Sequence, residues 1–169
     1  MDSSAIRPFT AFNFGVEIIV PFLGTGALFG GSFAECDGLD MTMDVKTVRE
    51  GGNNDHQIRM VGAVNYGMLT LKRGMTDSFD LWDWFDAVQH ANPSQLRTQL
   101  RAKVDVVIFP SDHKKTNNKR VELVRFHLEK CLLTKLKAPA LNAKDGGVAI
   151  EELQISYESM TLLRPNGGG

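Results

Sequence analysis

The chain has 169 residues, 43% of them apolar and 23% charged, a mixture that suits one folded domain and excludes a disordered or fibrous protein. Its 19 lysines and arginines against 20 aspartates and glutamates leave a net charge of -1, which gives no field to attract nucleic acid or an anionic membrane and little self-repulsion. The sequence shows no apolar run of about 18 residues and no basic, apolar leader, so neither membrane insertion nor signal-peptide export is expected.

Phe12, Phe14, Val16, Ile18 and Val20 recur at every second position, which predicts a strand with one buried face, ended by Pro21. Met41, Met43 and Val45 alternate with Thr42, Asp44 and Lys46, and Leu69 and Leu71 alternate with Met68, Thr70 and Lys72, predicting two more such strands. Between them, Lys46 to Met60 runs into the turn Gly51-Gly52-Asn53-Asn54, too polar for a core. From Asp77 the pattern becomes helical: Asp77 is a candidate cap, Asp80 sits in the first turn, Leu81, Trp84, Phe85 and Val88 share a face, and Asn92-Pro93 is the stop.

Val104, Val106 and Ile108 resume the alternation. Two phase breaks follow, one near Leu123-Val124 and one between Val148, Ile150 and the later set Leu153, Ile155, Tyr157; both predict β-bulges in strongly curved strands. Ser111 to Arg120 reads as a polar, basic hairpin tip. The expected fold is mainly β, a small antiparallel β-barrel or sandwich with one flanking α-helix, closed or nearly closed. One domain spans 1–169, with loose termini at 1–8 and 165–169.

No motif supports catalysis, a cofactor or a metal. Gly24-Thr25-Gly26-Ala27-Leu28-Phe29-Gly30 is one residue too long for a dinucleotide fingerprint and precedes no capped helix. His56, His90, His113 and His127 are scattered without ligand spacing. Cys36 and Cys131 also lack zinc-site spacing and read as buried free thiols. Asp77, Asp80, Asp83 and Asp86 read as a solvated helix face, and no Gly-x-Ser-x-Gly elbow is present. The basic tip at Lys114, Lys115, Lys119 and Arg120 has no interleaved aromatic for stacking bases, so sequence-specific nucleic-acid binding is not expected.

Taken in order, Arg49-Glu50-Gly51-Gly52-Asn53-Asn54-Asp55, then Tyr66-Gly67-Met68-Leu69-Thr70-Leu71-Lys72-Arg73-Gly74, then Leu81-Trp82-Asp83-Trp84, the chain resembles the inner-tube proteins of contractile phage tails and related injection systems. The resemblance runs from about Phe12 to Leu162, with a weaker echo at Ala138 to Ala143. It implies a non-enzymatic subunit whose hexameric rings stack into a hollow tube inside a sheath. The partners it implies are further copies of the chain, sheath and baseplate proteins, and DNA or effector cargo in the lumen. It also implies a protein held in the cytoplasm until it joins a tail or injection particle.

On this reading Arg49, Glu50, Gly51, Gly52, Asn53, Asn54 and Asp55 form an arm that contacts a neighbouring subunit, its glycines permitting φ > 0. Phe22, Leu23, Leu28 and Phe29 form a second, apolar contact in the segment from Val20 to Phe33, where the chain departs from the family's shorter, more polar turn. The alternatives are a monomeric β-barrel that binds a ligand and, behind it, a small hydrolase.

Overall fold

The computed structural model describes residues 13–23, 33–48, 51–52, 57–111, 115–116, 119–144 and 146–164. Each predicted alternation becomes a strand: β1 (Phe14–Ile19), β2 (Phe33–Asp37), β3 (Met41–Val48), β4 (Ile58–Tyr66), β5 (Met68–Gly74) and β6 (Ala102–Ile108). The basic tip is a small hairpin of β7 (Lys115–Thr116) and β8 (Lys119–Arg120), followed by β9 (Val124–Lys137), β10 (Ile150–Ser156) and β11 (Ser159–Leu163). All pairings are antiparallel, in the order β1-β6-β9-β10-β5-β2, with β11 on β9.

The two ends of that path, β1 and β2, do not pair among the described residues, so the expected closed barrel is an open, sandwich-like arrangement. β9 makes both layers. Its first half pairs with β6 and β11, and its second half with β10, which leads on to β5 and β2. At the corner β9 carries an extra residue between Leu128 and Cys131, and Lys130 takes φ 53. Arg101 Nη1 donates to the Lys130 carbonyl at 2.9 Å and fixes the turn. A second extra residue, Thr134, lies between Leu133 and Lys135.

The bulges are therefore real but lie inside β9, not at the two predicted places. Residues 121–123 precede β9 and hydrogen-bond to β6 only through the Leu123 N–H on the Ile108 carbonyl, 2.9 Å away. Val148 lies outside any strand, and β10 keeps one phase throughout, with Glu151, Leu153, Ile155 and then Tyr157 buried. The second break is thus a buried carboxylate in a core position.

Glu151 (1% exposed) is the direct cross-strand partner of Arg73 (5% exposed), and Arg73 Nε donates to Glu151 Oε1 at 2.5 Å. Trp82 Nε1 donates to the other carboxylate oxygen at 3.3 Å. Two charges that would be very costly alone in the core are thus paired and bonded.

The core joins the inner faces of both layers: Val16, Ile18, Val104, Val106, Leu128, Leu133, Leu69, Leu71, Leu153 and Ile155. The helix α1 (Asp80–His90) buries Leu81 and Trp84 completely and packs Phe85 and Val88 against the same cluster. Trp84 Nε1 donates to the Leu100 carbonyl at 3.3 Å. Asp83 and Asp86 face solvent, as the spacing predicts.

Asp77 does not cap α1. Phe79 occupies that position without a side-chain bond, while Ser78 Oγ donates to Asp80 Oδ2 at 2.6 Å. Asn92-Pro93 ends α1 but also opens a second helix, α2 (Pro93–Thr98), through a capping box of Asn92 and Gln95.

Candidate functional site, a projecting hairpin

β3 and β4 pair only with each other and form a two-stranded sheet apart from the body. At roughly 3.3 Å per residue, eight-residue β3 extends about 26 Å. Each β3 residue is exposed, and so is most of β4. The register sets Met41 opposite Tyr66, Met43 opposite Val64 and Val45 opposite Val61, with one extra β4 residue at the Gly62-Ala63 step.

Partners in register point to the same side, so Met41, Met43, Val45, Val61 and Val64 form one apolar face. It is open to solvent, with Met41 60% and Val61 73% exposed. On the opposite face Asn65 Nδ2 donates to Asp44 Oδ2 at 3.2 Å, and Met60, Val48 and Ile58 lie toward the tip. The Met and Val alternation does form a strand, but the face expected to be buried has no cover within the chain.

The arm is firmly rooted. Gly38, at φ +89, and Gly67 form its joint with β2 and β5, and the Gly67 N–H donates to the Asp40 carbonyl at 3.2 Å. Tyr157, at the end of β10, stacks at a tilt on Tyr66 with ring centroids 5.5 Å apart. Its hydroxyl accepts from the Asp40 N–H at 3.2 Å.

Of the arm residues singled out in the sequence, Gly51 and Gly52 are described; Gly52 takes φ 102 in an exposed turn, as its composition requires. Arg49, Glu50, Asn53, Asn54 and Asp55 lie outside the described residues, as do Leu28 and Phe29. Phe22 and Leu23 sit in a short 3-10 turn after β1; Phe22 is 52% exposed, whereas Leu23 packs on the core. Those two diverge instead of forming one patch. Sequence reasoning found the arm's tip but missed its stem, whose period-two pattern matches that of a buried strand.

Elsewhere the charged groups are paired in ways that suit structure. On the outer side of the β1-β6-β9 layer, Arg125 bonds Glu122, Glu17 and Asp105, and these bonds, Glu122 foremost, hold its proton more tightly than usual. His127 Nδ1 lies 2.5 Å from Asp105 and Nε2 3.5 Å from Glu129, so its ring nitrogens face carboxylates, not a nucleophilic hydroxyl. Arg120, in the basic hairpin, stacks 4.3 Å over Phe109 and donates to Asn13 Oδ1 at 2.9 Å. Among the described residues no His, Cys, Asp and Glu cluster suits a metal, and no helix is long and apolar enough to cross a membrane.

The sequence matches the family model described as T4-like virus tail tube protein gp19 over residues 10–161. The fold matches a chain in the six-fold symmetrised baseplate of the anti-feeding prophage, with 25% identity and a TM-score of 0.74 over 95% of this chain and 98% of that one. It also matches a chain of the PVC extracellular contractile injection system, in its extended sheath-tube complex, at 17% identity and a TM-score of 0.72 over 95% and 94%. A third match is in the tube-terminating cap of the anti-feeding prophage, at 17% identity and 0.74 over 97% and 96%. No curated protein matches the sequence. With the family model covering nearly all of the chain and the fold shared along its length, the chain belongs to the T4-like virus tail tube family, as a structural tube subunit of a contractile tail or injection system.

Proposed function

We propose that the chain forms six-subunit rings that stack into the hollow inner tube, and that the β3–β4 arm is the principal contact between subunits. A sheath surrounds the tube and a baseplate templates it, in keeping with the sheath-tube, baseplate and cap assemblies that hold its structural neighbours. DNA or effector proteins pass through the lumen unread. Before assembly the subunit stays in the cytoplasm as one folded domain.

The observation that carries this reading is the apolar face of the arm. A lone hairpin is marginally stable in water, and a contiguous exposed apolar face of this kind marks an interaction site. Covering one such side chain contributes about 1.5 to 3 kcal/mol, enough for several together to order the arm on a neighbour. Arg49, Glu50 and Asp55 at the tip supply charge-assisted bonds, Gly51, Gly52, Asn53 and Asn54 set its turn, and Phe22, Leu23, Leu28 and Phe29 add an apolar contact between rings.

Val61→Glu tests it. The side chain is exposed in the monomer, so the melting temperature should hold, while rings and tubes disappear from electron micrographs. Tubes of normal yield from the folded variant would remove the arm from the interface.

A further inference from the structure

The layer formed by the second half of β9 with β10, β5 and β2 has an unpaired edge at each side among the described residues. On one side is β2, which pairs only with β5. On the other is the stretch 132–137 of β9, beyond the last β6 partner, Ala102 opposite Cys131.

The outer face of this layer carries charges in cross-strand rows. One row reads Lys137, Glu152, Lys72, Glu35 and the next reads Lys135, Gln154, Thr70, Asp37. In the first row cation and anion alternate from strand to strand. Both rows begin with a cation on β9 and end with an anion on β2.

Within the chain the interior of the ladder is satisfied: Lys72 Nζ meets Glu35 Oε2 at 2.6 Å and Lys135 Nζ meets Glu152 Oε1 at 3.6 Å. Lys137 and Asp37 make no ion pair among the described residues, which leaves one unmatched charge at each edge. Glu35, Lys72, Lys137 and Glu152 line an open groove of about 310 Å3, so the face is not covered by the described part of the chain.

We infer that these two edges join neighbouring copies: β2 of one subunit pairs antiparallel with residues 132–137 of β9 in the next, continuing the charge ladder through the joint. The inference deepens the ring reading and rests on it. Strand directions agree, because β9, β10, β5 and β2 alternate and the next copy's β9 again runs opposite to β2.

With rows in line, Glu35 faces Lys137 of the next copy and Asp37 faces its Lys135. A two-residue stagger still sets an anion against a cation, because side chains two apart share a face. A one-residue slip is penalised by turning the ladder toward the core. The other layer offers no such match: Glu17 on β1 is held by Arg125, and Ser159, Thr161 and Leu163 on β11 carry no charge. Head-to-tail pairing of two unlike edges is a heterologous contact, which closes into a ring.

Two charge-reversed proteins test the joint. Glu35→Lys with Asp37→Lys makes both edges basic, and Lys135→Glu with Lys137→Glu makes both acidic. Each alone sets like charges together at every joint, so ring yield on grids should fall at least tenfold. Mixed in equal amounts, the two should regain rings with alternating subunits, which an even-numbered ring permits. Normal rings from either variant alone, or no rings from the mixture of folded proteins, would overturn the edge assignment. Native protein that forms neither rings nor tubes would overturn the ring reading itself.

A cysteine pair, Glu35→Cys with Lys137→Cys in a Cys36→Ser background, keeps the test open if the reversed variants do not fold. Oxidised assemblies should give disulfide-linked multimers on a non-reducing gel. Monomer alone, from protein that shows rings on the same grids, would refute the joint.

Discussion

The hydroxyl of Tyr157 lies 2.9 Å from the carbonyl oxygen of Gly38, across 119 residues of sequence. The Asp40 carbonyl is 3.0 Å from the same hydroxyl, so one proton serves two acceptors at the root of the arm. Gly38 cannot be replaced freely, because at φ +89 a Cβ would overlap the Met68 carbonyl. The end of β10 therefore sets the angle at which the arm leaves the body.

Removing that hydroxyl should loosen the arm and spare the core. Tyr157→Phe keeps the ring against Tyr66 but leaves the bonds at Gly38 and Asp40 unmade, a loss of about 1 to 3 kcal/mol. Hydrogen exchange should rise across residues 41–66 while β6 and β9 stay protected, and tube yield should fall. Unchanged exchange in the arm would show that the glycine joint alone holds it.

Much of the fold was legible because buried alternation is a direct signal: Val16 and Ile18, Leu69 and Leu71, and Val104 and Val106 all lie where their period predicts. What period cannot report is what covers an apolar face. Met41, Met43 and Val45 therefore read as a core strand and proved to be a projecting stem. Glu151 broke the pattern of β10 because a charge in a core position looks like a change of phase until Arg73 is seen opposite it. Asn92-Pro93 is equally good as a stop and as a start, so α2 stayed hidden behind the end of α1.

Breaking the buried pair from one side should be far worse than removing both partners. Glu151→Leu leaves Arg73 charged in the core and should cost about 3 to 5 kcal/mol in urea denaturation. The double variant Arg73→Met with Glu151→Leu fills similar volume without a buried charge, and should recover most of that loss. Additive losses in the double-mutant cycle would mean the two residues act independently.

Trp84 fixes α1 to the body through complete burial and its bond to Leu100. Trp84→Ala should destabilise by about 3 to 5 kcal/mol. That is a large part of a domain's stability, so the variant should aggregate on expression. An unchanged melting temperature would contradict the packing of α1 on the core.

Alkaline pH should weaken the fold through groups that the folded state keeps protonated. Burial, and secondarily Asp37, pushes the Cys36 thiol up to about 11; burial also pushes Cys131 up to about 12, partly offset by a hydrogen bond to the Val104 backbone. Tyr157 is raised by burial as well. Between about pH 8.5, where an unfolded thiol ionises, and these folded values, unfolding releases protons. Stability is therefore full below that window and declines as pH rises through it, by an amount on the order of a few kcal/mol. Urea midpoints at pH 7.5, 9.0 and 10.5 should fall in sequence, and Cys36→Ala with Cys131→Ala should flatten the trend. The buried thiols should also resist iodoacetamide at pH 8 until denaturant is added, since the thiolate is the nucleophile. Rapid labelling of both cysteines in native protein, together with a flat midpoint series, would show that neither thiol is held protonated by the fold.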